Sequence, residues 1–156
     1  MDYYRALMCY KGRIAALTDE QIYQLFLQTS QNIFLSLQER SYADYYRAMM
    51  GRTGRTTRLS NAEIYLLLCR LSYDNNLSKS YRYHVLFLKV KMKLDNKGEI
   101  IENGENIAYI DNDKDIASLA SIHMDTSVVE EYRTQAHKNM TALLNMKQVV
   151  KDEIKS

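Results

Sequence analysis

The sequence predicts an α+β fold that is mainly helical: a helical N-terminal region, a small antiparallel β-meander and a C-terminal helix pair. Three observations carry this. The 156 residues contain no proline, no tryptophan and only five glycines, a composition that favours long uninterrupted helices. Two capping boxes precede apolar runs at helical spacing. One stretch, residues 84–94, alternates instead and is followed by turn signals.

Asp2 to Leu17 reads as a first short helix. Thr18-Asp19-Glu20-Gln21 is a capping box, and Ile22, Leu25, Phe26, Thr29, Ile33 and Leu37 follow at helical spacing, predicting a helix to about Glu39. Ser41-Tyr42-Ala43-Asp44 has the form of another helix start, which Gly51 would stop. Ser60-Asn61-Ala62-Glu63 is the second capping box, ahead of Ile64, Leu67, Leu68 and Leu71. Residues 17–25 and 59–67 resemble each other, which either an internal duplication or the shared demands of a cap and a core would produce.

Beyond Asp74-Asn75-Asn76, Leu86, Leu88, Val90, Met92 and Leu94 alternate with Lys89, Lys91 and Lys93, predicting a half-buried strand with a lysine-lined outer side. Asn96-Lys97-Gly98 and Asn103-Gly104 are turn signals, so Glu99–Glu102 and Asn106–Ile110 would complete a three-stranded meander. Asp113–Ile122 then reads as a short helix. A long one from about Thr126 carries Val129, Tyr132, Ala136, Met140, Leu143, Val150 and Ile154 on its apolar side, with Leu143, Met146 and Val150 expected to pack on a second copy or on the N-terminal helices. The length fits one domain spanning 1–156, or two packed halves, 1–58 and 59–156.

Residues 1–93 hold 14 Lys/Arg against 7 Asp/Glu, and residues 94–156 hold 7 against 12. Such an imbalance suits a polyanion or an acidic partner, or holds the two segments together. The positive charge is densest in Gly51-Arg52-Thr53-Gly54-Arg55-Thr56-Thr57-Arg58, where three guanidiniums stand within reach of successive phosphates. Its Gly51-Arg52-Thr53-Gly54 has the G-x-x-G form and resembles the loop with which KH domains clamp a nucleic-acid backbone. A solvated connector fits the same residues.

Ile107-Ala108-Tyr109-Ile110, Asp115-Ile116-Ala117-Ser118-Leu119, a turn near His123-Met124-Asp125 and Val128-Val129-Glu130-Glu131-Tyr132-Arg133 run in a strand, helix, turn, helix order. This order resembles winged-helix and helix-turn-helix DNA-binding proteins of phages and plasmids. The resemblance puts Ile116, Ala117, Ala120 and Ile122 in the apolar slots of the first helix and makes Val128 or Val129 the anchor of the second. It implies DNA contacts from Thr126, Ser127, Arg133, Gln135, His137 and Lys138. The chain departs from the pattern at Ser121, where glycine is usual, and at Asp125, Glu130 and Glu131, which phosphates repel. A helix hairpin used only for packing has the same periodicity.

Catalytic signatures are missing: His84, His123 and His137 lack metal-ligand spacing, and there is no G-x-S-x-G. Asp111-Asn112-Asp113-Lys114-Asp115 begins like a calcium loop but has Ile116 where its glycine belongs, so Asp111 or Asn112 is expected to cap a helix. Cys9 and Cys69 read as reduced core thiols. The thirteen tyrosines are expected mainly in the core, with stacking platforms for bases among them as the other use of such rings. No leader-like start or membrane-length apolar run is present, so a cytoplasmic protein without cofactor is expected. The functional expectation is a non-enzymatic DNA-binding accessory or regulatory protein of a mobile genetic element, with RNA the alternative nucleic acid. It would contact phosphates through Arg52, Arg55, Arg58, Lys89, Lys91 and Lys93. The competing reading is a protein-interaction module, such as a phage-encoded inhibitor of a host complex.

Overall fold

The structure is a computed structural model that describes residues 2–155, with side-chain surroundings for residues 2–147. It is α+β and mainly helical, with seven helices and one two-stranded sheet among the described residues. The chain divides into two compact units, Met1–Arg82 and Tyr83–Ser156.

In the first unit, α1 (Asp2–Tyr10) ends earlier than the sequence suggests. Gly12 takes φ +72° and its N–H bonds back to the Cys9 carbonyl at 3.1 Å, a left-handed stop that glycine adopts without strain. Helix α2 (Asp19–Gln31) starts at the predicted capping box, with Thr18 and Gln21 exchanging both bonds. It stops well before Glu39. Asn32 turns extended and its side chain accepts from the Phe34 N–H at 3.0 Å, a local bond that competes with continuing the helix.

Helix α3 (Leu37–Arg52) therefore begins at a Ser36 cap, not at Ser41. Ser41 is buried and donates to Asp74 Oδ2 at 2.6 Å, while Asp44 accepts from Arg47 and from Arg70. Nor does Gly51 stop this helix. It lies inside the last turn, where an added Cβ would sit 2.9 Å from Ile64 of α4 (Asn61–Leu71), so its role is close approach of two helices. Helix α4 has the predicted capping box, with Ser60 and Glu63 bonded reciprocally. The first core gathers Ala6, Ile22, Phe26, Met50, Tyr65 and Leu68, with Phe26 stacked on Tyr46 at 5.5 Å.

The predicted strand 84–94 is helical: α5 (Lys79–Asp95) runs from the end of the first unit into the second. Strict alternation of apolar residues and lysines suits a strand only if every lysine faces water. Here Val85, Lys89 and Met92, and Leu86, Val90 and Lys93, fall at three- and four-residue spacing on a buried helix face. Lysine and leucine are also good helix formers. Asn96-Lys97-Gly98 consequently ends a helix, the Gly98 N–H reaching the Lys93 carbonyl at 2.8 Å. The meander shrinks to one hairpin of β1 (Ile101–Glu102) and β2 (Glu105–Asn106), joined by Asn103-Gly104 with φ +50° and +82°, as a tight two-residue hairpin turn requires.

Helices α6 (Asn112–Met124) and α7 (Glu130–Lys155) pack on each other. Asp111 precedes α6 in the left-handed region without a side-chain cap bond, so the expected N-cap is positional only. Leu86, Val90, Leu119, Ile122, Ala136 and Leu143 form the second core, with Met140 and Met146 against it. Leu143 and Met146 thus pack within this unit. Val150 and Ile154 lie outside the described side chains.

Candidate nucleic-acid interface

The arginine loop is organised by its own unit. Arg52 belongs to the last turn of α3, and Gly54, at φ +76°, is the glycine that needs its conformational freedom. Arg55 donates through Nε and Nη2 to Asp19 Oδ1 at 3.1 and 2.8 Å and through Nη1 to the Tyr10 carbonyl at 3.0 Å, with its guanidinium 4.6 Å from the Tyr10 ring centre. Arg58 pairs with Glu20, donates to Gln24 at 2.7 Å and lies over the Tyr23 ring. Two of the three arginines therefore fasten the loop to the acidic first turn of α2. The KH-like arrangement also needs a helix directly after the second glycine, and α4 begins only at Asn61.

The lysine row does not form an outer face. Lys89 and Lys93 are fully buried, and Asp115 accepts from Lys89 through Oδ1 and from Lys93 through Oδ2, both at 3.1 Å. Lys93 also donates to the Asn112 side chain. Burying an ammonium is costly unless such partners replace water, so these two lysines are structural. Lys91 alone of the three is exposed; it stands 4.0 Å from Asp95.

At the α6–α7 turn, Thr126 and Ser127 precede α7 and are exposed, and Ser127 bonds through N and Oγ to Asp125 at 2.9 and 2.6 Å. Of the two valines, Val128 packs on the core and Val129 is 61% exposed. Ile116 and Ile122 face the same core, whereas Ala117 is exposed. Arg133 donates to the His123 carbonyl at 3.0 Å and so locks the turn. Its neighbour His123 lies against His137, ring centres 4.6 Å apart and tilted by 33°. Gln135, His137 and Lys138 are exposed on the leading half of α7, with Gln135 bonded to Asn139 at 3.1 Å. Glu130 and Glu131 share that exposure.

Residues 1–82 carry 11 Lys/Arg and 7 Asp/Glu, whereas residues 83–156 carry 10 and 12, so the basic excess belongs to the first unit. There the tyrosines divide. Tyr23, Tyr45, Tyr46 and Tyr65 are buried, but Tyr4 is 60% exposed, and Tyr42 and Tyr81 are partly open. Sequence reasoning passed over Tyr3, Tyr4, Leu7 and Lys11, although their spacing along α1 places them on adjoining helix faces.

Among the described residues, no group of His, Cys, Asp and Glu side chains is placed to hold a metal ion, and no helix is long and apolar enough to cross a membrane. Cys9 is buried and Cys69 partly so, both as free thiols. No protein-family model, curated protein or solved structure matches the chain.

Proposed function

We propose that the chain is a non-enzymatic DNA-binding accessory or regulatory protein, of the small phage and plasmid kind that its sequence resembles, reading duplex DNA through α6 and α7. The observation that carries this is the exposed leading end of α7 on a closely packed helix pair. There Thr126, Ser127, Gln135 and Lys138 are open to a ligand while Val128 and Arg133 fix the turn. Side chains on such a projecting helix reach base edges in a major groove, and lysines beside it position the backbone. Lys91 and Lys138 serve as phosphate contacts in this reading. Arg55 and Arg58 contribute less, because Asp19 and Glu20 already oppose their charge.

Duplex binding followed through a salt series tests the proposal. Lys138→Ala is expected to weaken binding to all sequences and to lower the slope of log affinity against log salt by about 0.9. Gln135→Ala should instead weaken one preferred sequence. A chain that binds no duplex at low salt is not a DNA reader.

One observation favours the second reading, a protein-interaction module. Ile33, Phe34 and Leu37 are 74, 92 and 62% exposed at the α2–α3 connection, an apolar cluster that aqueous surfaces seldom present. Absent duplex binding, together with association that Phe34→Ser abolishes, would favour that module.

A further inference from the structure

The first unit contains a cleft of about 370 Å³ walled by tyrosines: Tyr3 and Tyr4 from α1, Tyr42 and Tyr46 from α3, and Tyr81 from the first turn of α5. Lys11, Gln38 and Glu39 also line it. The volume falls within the range of small-molecule sites. A depression filled only for packing would be lined by leucine or phenylalanine. This one has one aliphatic lining residue, Leu7, and is otherwise lined by polar side chains and by rings that keep a polar tip; the exposed Tyr4 ring stands edge-on to Tyr3 at 5.2 Å. Tyr42 and Tyr81, both lining the cleft, meet at 5.0 Å, nearly perpendicular.

We propose that this cleft binds a nucleotide unit, a base held against Tyr4 and the Tyr42–Tyr81 pair with its phosphate at Lys11. Stacking on aromatic faces beside a basic group is how sequence-tolerant single-strand sites work, and every base has a face to stack. Lys11 is exposed at the end of α1. The tyrosine hydroxyls of the cleft are neutral at neutral pH and do not repel a phosphate. Glu39 and Gln38 offer acceptors for exocyclic amino groups. Adenine, guanine and cytosine carry such groups, whereas thymine and uracil place carbonyl oxygens there. The site thus favours amino-bearing bases. It does not depend on duplex reading by α6 and α7.

The same chemistry arrives as a free mononucleotide or within a single strand. Binding of AMP, GMP and UMP, and of short oligo-dA and oligo-dT, to the full chain by tyrosine fluorescence and anisotropy separates the two sources. Saturable binding of mononucleotides identifies a small-molecule site, and binding of oligomers alone identifies a strand site; either supports the proposal, with dA preferred over dT. Tyr4→Ala should weaken binding about five- to a hundredfold, the range of one lost stacking ring. Tyr4→Phe should retain it, and Lys11→Ala should flatten its salt dependence. Both side chains are exposed, so unchanged melting temperatures accompany these variants. Retained affinity in Tyr4→Ala and Lys11→Ala, or no binding of any of these ligands at low salt, overturns the assignment.

Discussion

Asp115 Oδ2 lies 3.0 Å from Lys89 Nζ, and neither side chain reaches solvent. Lys93 shares the same carboxylate at 3.1 Å, so one residue of α6 holds two lysines of α5 inside the second unit. The order of the three charges decides what each contributes: the acid is common to both contacts, whereas each base makes one of them.

Asp115→Ala is therefore expected to destabilise the second unit by about 3–5 kcal/mol, because it removes the shared counter-charge from both buried ammoniums, although Lys93 keeps the neutral Asn112 side chain as an acceptor. Lys89→Met leaves the Lys93–Asp115 pair in place and adds an apolar side chain of similar length, so its loss should be much smaller. Urea unfolding of the two variants checks the ranking. Equal losses would mean that the carboxylate is not the shared element.

Gly51→Ala acts on packing rather than on a ligand. Its new Cβ would stand 2.9 Å from Ile64 Cδ1, and relieving that contact should cost about 1–3 kcal/mol. Gly54→Ala meets no neighbour within 4 Å, yet its φ of +76° is strained for alanine by about 1–2 kcal/mol. The paired variant Gly51→Ala with Ile64→Val should recover part of the first loss and none of the second. Thermal melts of the single and double variants distinguish the two causes.

These cases show where the sequence was legible. Both capping boxes were, because four contiguous residues specify them and no distant partner is needed. The hairpin turn at Asn103-Gly104 was legible for the same reason. Helix α5 was misread because lysine reports exposure only when its counter-charge is remote. Asp115 stands 22 residues beyond Lys93, and nothing local announces the pairing. The break after Gln31 was likewise hidden. Ile33 continues the apolar period of α2 yet lies exposed past a cap formed by Asn32, a poor helix former whose stop signal the unbroken apolar period outweighed. In the candidate interface, the turn residues Thr126 and Ser127 and the helix residues Gln135 and Lys138 are exposed as their positions suggested. The loop arginines are not independent charges, since their acids lie on α2, more than 30 residues away in sequence.

That pairing changes what removing the loop arginines should do. Substituting Arg52, Arg55 and Arg58 together by alanine would lower the salt slope of binding by about 0.9 for each phosphate neutralised, up to two or three units if all three serve on duplex DNA. With Asp19 and Glu20 engaged by Arg55 and Arg58, the expected reduction is below one unit. Asp19→Asn with Glu20→Gln should raise affinity for a polyanion, by releasing both guanidiniums. Gel shifts at several salt concentrations measure both effects, and a reduction of two units or more would restore the loop as a principal phosphate clamp.

Alkaline pH tests the aromatic core of the first unit. Burial raises the Tyr3 and Tyr46 hydroxyls above their ordinary value of 10.0, and the 3.4 Å contact between Tyr46 and Tyr81 hydroxyls adds to the effect at Tyr46. Above about pH 10 the unfolded chain releases these protons while the folded unit retains them. The unfolded state then binds fewer protons, so stability falls as pH rises, by at most about 1.4 kcal/mol per pH unit for each group. Below that pH both states are protonated and the groups add no slope. Tyr46→Phe keeps the ring stacked on Phe26 and against Tyr10, but has no proton to lose. Its urea midpoint should therefore decline less steeply than that of the wild type between pH 10 and 11.5, whatever its midpoint at pH 7. Parallel declines would show that the Tyr46 hydroxyl titrates alike in the folded and unfolded chain, and hence that water reaches it within the core.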